Sequence, residues 1–141
     1  MAKLAVVYWS GTGNTEAMAN FVADGARDAG ADVSLYTSAE FTPELADEFE
    51  LIAFGCPSMG AEVLEESEFE PMFNSVKEKL SSKKVALFGS YGWGDGEWMR
   101  NWDSEIQGDG VTVVGTVICN EAPDDEAADN CKDLGKQLAN A

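Results

Sequence analysis

Apolar positions along the chain follow two rhythms. Short runs rich in β-branched and large aliphatic residues occur at 4–9, 32–36, 51–55, 84–89 and 112–118. Each has strand length and is followed by turn residues. Between them the spacing lengthens to that of a helix. Met18, Phe21, Val22 and Ala26 line one face of a helix that starts near Asn14 and stops toward Gly30, a residue suited to ending it. Phe69, Met72, Phe73, Val76 and Leu80 mark a second such face, and Trp98, Trp102 and Ile106 a third within 97–107. Ala127, Cys131, Leu134 and Leu138 place a last helix from about Asp124, and Pro43 opens a short one.

Strands alternating with helices at these lengths predict an α/β fold, a parallel sheet covered on both faces through right-handed crossovers. No repeat or linker interrupts the pattern, so the 141 residues form a single domain over 1–141. In such sheets ligands gather beyond the C-terminal strand ends. The loops after the first, third and fourth strands therefore matter most.

Composition narrows the chemistry. The formal charge is −17, which argues against nucleic acid or an anionic membrane as partner and favours proteins with basic docking patches. There is no histidine, which removes the commonest general base, nucleophile activator and zinc ligand together. Cys56, Cys119 and Cys131 are odd in number and form no C-x-x-C pair, so neither a disulfide framework nor a metal cluster is expected. Cys119 reads as buried filler. The apolar run at 4–9 is too brief for a signal segment, and a soluble cytoplasmic protein is expected.

After the first strand comes Ser10-Gly11-Thr12-Gly13-Asn14-Thr15, rich in hydroxyls and glycine and without lysine or arginine. Gly11 and Gly13 let successive N–H groups turn inward at a helix N-terminus, and the four polar side chains add donors. A triphosphate loop needs a lysine that is missing, and a dinucleotide fingerprint needs glycine where Glu16 stands. One terminal monophosphate fits. The alternative is a plain strand-to-helix turn with Asn14 or Ser10 as the cap. After the third strand, Pro57, Ser58, Met59, Gly60, Ala61 and Glu62 form a second loop; after the fourth come Ser90, Tyr91, Gly92, Trp93, Gly94, Asp95 and Gly96. Trp93 between glycines suits stacking on a flat ring, Met59 can cover the other face, and Glu62 can accept from a ring N–H. Taken singly, Trp93 reads equally as a lid on the core and Met59 as gap filling. Together with the phosphate cradle they specify flavin mononucleotide (FMN).

Three motifs then resemble the flavodoxins, specifically the short-chain group of anaerobic bacteria, along essentially the whole chain. They are Val7-Tyr8-Trp9-Ser10-Gly11-Thr12-Gly13-Asn14-Thr15, Glu65-Glu66-Ser67-Glu68-Phe69-Glu70-Pro71 after the Met59-Gly60 turn, and Leu87-Phe88-Gly89-Ser90-Tyr91-Gly92-Trp93-Gly94-Asp95-Gly96. The resemblance implies a three-layer αβα sandwich with strand order 2-1-3-4-5. It implies phosphate binding by Ser10 to Thr15, ring contacts from Trp93 and Met59, and Ser90 to Gly92 with Asn120 along the ring edge and ribityl chain. It also implies a monomeric low-potential carrier that cycles FMN between semiquinone and hydroquinone. A small FMN-dependent quinone reductase is the alternative. A response-regulator-like module shares the strand order, but Tyr8-Trp9-Ser10 and Cys56-Pro57 stand where it needs acidic residues.

Overall fold

In the computed structural model, which describes residues 3–11, 13–59, 64–92 and 94–141, the five apolar runs become one parallel sheet. In chain order the elements are β1 (Lys3–Tyr8), α1 (Asn14–Asp28), β2 (Asp32–Thr37), α2 (Pro43–Ala46), β3 (Leu51–Gly55), α3 (Phe69–Val76), β4 (Lys84–Tyr91), α4 (Glu97–Gly108), β5 (Thr112–Asn120) and α5 (Asp125–Ala139). The strand order is β2-β1-β3-β4-β5. Helices cover both faces, which is the three-layer sandwich expected from the sequence.

The period-two alternation of the central strands sorts the core into two halves. Ala5, Val7, Ile52, Phe54, Val85 and Leu87 face α3 and α4. There Phe54, Phe69, Phe73 and Trp102 meet mostly edge to face, with Phe54 and Phe73 centroids 5.1 Å apart at 86°, the geometry favoured by the ring quadrupole. Leu4, Val6, Ala53, Ala86 and Phe88 face α1 and α5. These two helices approach so closely that a Cβ on Gly25 would strike the Lys132 carbonyl, and one on Gly135 the Val22 carbonyl. Glycine is required here by proximity.

Helix ends follow local chemistry. Past α1, Gly30 (φ 93°) donates to the Arg27 carbonyl at 2.9 Å and Ala31 to that of Ala26 at 3.1 Å, a Schellman closure of otherwise orphaned carbonyls. Gly110 and Val111 close α4 in the same way on Gln107 and Ile106. Thr42 and Asp124 cap α2 and α5 from their side chains.

Three expectations need correction. The helix on the Phe69 face ends at Val76 and tightens into a 3₁₀ segment, Lys77–Ser82, which still buries Leu80. Phe21 is only half-buried, its ring lying 5.7 Å from the Lys132 ammonium. Ser90 and Tyr91, expected in a loop, belong to β4, because β5 extends to Cys119 and Asn120 and pairs with them.

Candidate functional site

The loops after β1, β3 and β4 leave the same edge of the sheet and are tied together by their backbones. Trp9 N–H donates to the Gly55 carbonyl at 3.0 Å, Cys56 N–H to that of Phe88 at 3.1 Å, and Ser58 N–H to that of Ser90 at 3.0 Å. A Cβ on Gly89 would strike the Cys56 carbonyl, so glycine there permits the second loop to lie against β4. The Trp98 indole N–H holds the same carbonyl at 3.1 Å. Such bonds fix loop positions from the rigid sheet below.

In the first loop Ser10, Gly11, Gly13, Asn14 and Thr15 come together. Gly13 precedes α1 with φ 94°, a conformation that side chains disfavour. Ser10 Oγ accepts from the N–H groups of Gly13 at 3.0 Å and Glu16 at 3.2 Å. Ser10 thus fills the capping role considered in the alternative reading, while Asn14 lies within the helix. The Trp9 ring lies against Gly11, where a Cβ would sit 3.0 Å from it. Capping leaves one group unexplained. Thr15 is buried, and its Oγ1 has no hydrogen-bond partner among the described residues. A buried orphan hydroxyl under a helix N-terminus suits an anion. Beside the loop lies a cavity of about 490 Å³, lined by Tyr8, Trp9, Ser10, Thr37, Ser38 and Glu68 among others, with no lysine or arginine. The Tyr8 phenol donates to Glu16 Oε2 at 3.1 Å, and burial followed by that carboxylate raises its pKa.

In the second loop Pro57, Ser58 and Met59 are half-buried. Cys56 is buried, which pushes its thiol up to about 12, so it stays neutral and accepts from the Glu65 N–H at 3.3 Å. Burial likewise raises Cys119, in keeping with filler. In the third loop Gly94 (φ 86°) and Gly96 (φ 93°) bracket Asp95 in left-handed turns. The Arg100 guanidinium grips Asp95 twice, at its carbonyl (3.0 Å) and at Oδ1 (2.9 Å). Thr12, Gly60, Ala61, Glu62 and Trp93, each singled out from the sequence, lie outside the described residues.

Two residues expected along a ring edge have other partners. Ser90 is buried, and its hydroxyl donates to the Glu121 carbonyl at 2.6 Å. Asn120 Nδ2 donates to the Tyr91 carbonyl at 3.3 Å. The two side chains therefore hold β4 to the end of β5 and to the residue that follows it. Glu65, which opens the second motif, is buried and caps α3 from upstream. Its carboxylate accepts from the N–H groups of Ser67 (2.8 Å), Glu68 (2.7 Å) and Phe69 (2.9 Å), and from the Ser67 hydroxyl. Burial alone would raise its pKa, but these donors outweigh it and hold the group at about 2.

Sequence reasoning missed Glu65, Arg100 and Glu121 as structural members of the site. Only Glu65 carried a signal, an acidic side chain three to four residues ahead of an apolar helical face.

The arrangement offers uncharged donors at a helix N-terminus, a buried orphan hydroxyl, and two glycine-bearing loops on the same edge. These are parts that fit a flavin bearing one phosphate.

Comparison with known proteins agrees. The family described as flavodoxin matches residues 6–135. A flavodoxin of Clostridium beijerinckii is 48% identical over 138 residues, covering 97% of this chain and 99% of that one. A flavodoxin of Megasphaera elsdenii is 49% identical over 136 residues, 96% and 98% of the two chains. The solution structure of two-electron reduced Megasphaera elsdenii flavodoxin superposes with a TM-score of 0.91 at 48% identity, over 98% of this chain and 99% of that one. A shared fold, near full-length identity and a matching family pattern lead to one conclusion: the chain belongs to the flavodoxin family.

Proposed function

We propose that the protein carries electrons singly, at low potential, on non-covalently bound FMN between redox proteins. Flavodoxins bind FMN and transfer electrons without being enzymes, and close likeness along the full chain favours that activity over quinone reduction. Bound FMN supplies the redox chemistry, its ring taking up and releasing electrons. The chain supplies placement and electrostatics. Ser10, Thr12, Asn14 and Thr15, with Gly11 and Gly13, hold the phosphate through neutral donors. Met59 and Trp93 contact the two ring faces, with Pro57, Ser58, Gly60 and Gly92 to Gly96 shaping the walls, and Glu62 accepts from a ring N–H. Ser90 to Gly92 and Asn120 line the ring edge and ribityl chain, where the bonds of Ser90 and Asn120 to backbone carbonyls also brace the loop.

The observation that carries this reading is the buried Thr15 hydroxyl in the first turn of α1, without a partner among the described residues, next to a loop whose adjoining cavity has no lysine or arginine among its described lining. An unneutralised phosphate beside the ring makes further negative charge costly, which lowers the potential of the last electron. The test is an absorption spectrum of the purified protein followed by stepwise dithionite reduction. Flavin bands that bleach in two one-electron stages are expected. A colourless protein that riboflavin 5′-phosphate does not reconstitute overturns the proposal.

The setting belongs to the same proposal: one unit over 1–141, monomeric and cytoplasmic, docking on reductases and oxidases through their basic patches. Among the described residues no helix is long and apolar enough to cross a membrane. The basic residues support the docking geometry. Lys3 and Lys84 start strands, Arg27, Lys77, Lys79 and Lys83 lie at helix ends away from the three loops, and Lys132 and Lys136 lie in the middle and last turn of α5. Arg100, which follows the third loop, is engaged with Asp95. The loop edge is therefore predominantly acidic. Electron transfer to a basic partner should slow steeply as salt rises, and a salt-independent rate would contradict this docking.

A further inference from the structure

The β4–β5 ladder ends abruptly beside the third loop. Tyr91 pairs with Asn120 in the last register position, and the Glu121 N–H donates to the Tyr91 carbonyl at 2.8 Å. In a parallel ladder the N–H and C=O of one residue reach positions two apart on its neighbour. If β5 stayed extended, the Glu121 carbonyl would next accept from the N–H of residue 93, and the loop would be drawn into the sheet.

Glu121 breaks that continuation. It has φ 57°, a left-handed conformation found at no other non-glycine position among the described residues. Its carbonyl accepts instead from Ser90 Oγ at 2.6 Å, with Cys119 Sγ also 3.4 Å away. The Asn120 amide adds a bond to the Tyr91 carbonyl. A left-handed non-glycine residue persists only where its surroundings over-determine it. These bonds do so, and the neighbouring loop gains from them.

We propose that Glu121 and Ser90 are positioning residues for the flavin. The turn at Glu121 ends the sheet at Tyr91, Ser90 takes the carbonyl thereby released, and the described chain at Gly92 and from Gly94 onward lies outside the sheet as a preformed wall. This rests on the flavin reading above, and it assigns the effect of Glu121 to its backbone, not to its charge.

The test compares substitutions that tolerate the left-handed turn with one that does not. Glu121→Gly, Glu121→Asn and Glu121→Val all remove the charge, but only valine resists positive φ. The valine variant should release FMN about tenfold faster than the other two, a factor worth about 1.4 kcal/mol. Ser90→Ala should release it faster by a similar factor, and Ser90→Thr should recover most of the loss. In FMN-free protein, amide protection at position 121, relative to each residue's intrinsic exchange rate, should be lower in Glu121→Val than in Glu121→Gly.

Equal release rates for the three Glu121 variants overturn the proposal, because they indicate charge alone. If the valine variant does not fold, Ser90→Ala against Ser90→Thr decides, and equal rates again overturn it. A parent protein that takes up no FMN sinks the flavin reading instead, and equal amide protection at position 121 in Glu121→Val and Glu121→Gly then overturns the role of the turn as well.

Discussion

The Glu65 carboxylate meets the Glu68 N–H at 2.7 Å, so a glutamate within an acidic run is the structural start of α3. Glu65→Ala removes an acceptor shared by three backbone donors and should destabilise the fold by about 2 to 3 kcal/mol, above the usual cost of losing a single cap. The effect depends on pH in a defined direction. The folded pKa of about 2 lies below the ordinary 4.5, so the stabilisation is complete above about pH 4.5 and is lost as pH falls toward 2. Urea unfolding at pH 7 and pH 3 checks this. The gap between parent and Glu65→Gln should narrow in acid, and a gap independent of pH would count against the cap.

Gly25 and Gly135 define the spacing of α1 and α5. Gly135→Ala must push a methyl into the Val22 carbonyl and should cost about 1 to 3 kcal/mol through overpacking, despite alanine's better helix propensity. Thermal unfolding should show a lowered midpoint. The flavin absorbance at saturating FMN should be unaltered, because the contact lies away from the three loops. A stabilised variant would mean that the helices separate at little cost.

What the sequence revealed, and what it hid, follows from the range of the interactions. The strands were legible because burial on both faces demands continuous apolar runs such as Leu51–Gly55. The α5 face was legible because Cys131, Leu134 and Leu138 repeat at helical spacing and all end up buried. The extension of β4 through Ser90 and Tyr91 was not, since it depends on a register with residues about 30 positions away. The Glu121 turn lacks the glycine that would ordinarily mark it. The bonds from Ser90 and Asn120 to the Glu121 and Tyr91 carbonyls depend on the same pairing and were equally hidden.

Thr15 allows the phosphate cradle to be tested separately from the ring. Thr15→Val keeps the shape but deletes the hydroxyl that has no partner among the described residues. A buried unpaired hydroxyl costs free energy, so the FMN-free variant should be as stable as the parent or slightly more so. Its affinity for FMN should fall about tenfold to a hundredfold, the loss of a hydrogen bond to a charged group. Titration of FMN into the FMN-free proteins, with urea unfolding alongside, measures both. Lower stability with unchanged affinity would assign Thr15 to the core alone.

Charge near the loops should set the potential of the last electron in opposite directions for two variants. A unit charge about 10 Å from the ring, at an effective dielectric near 40, contributes about 0.8 kcal/mol. That corresponds to roughly 35 mV for one electron. Glu66, exposed just ahead of α3, can be neutralised without touching the Glu65 cap, so Glu66→Gln should raise the potential by up to that amount. Arg100→Gln should lower it, and Arg100→Lys should restore the potential without the two-point grip on Asp95. Both shifts should shrink between low salt and about 0.15 M, where the screening length is about 8 Å. Redox titration of the three variants at two ionic strengths decides the matter: shifts of the same sign for Glu66→Gln and Arg100→Gln cannot arise from charge and would point to altered loop geometry.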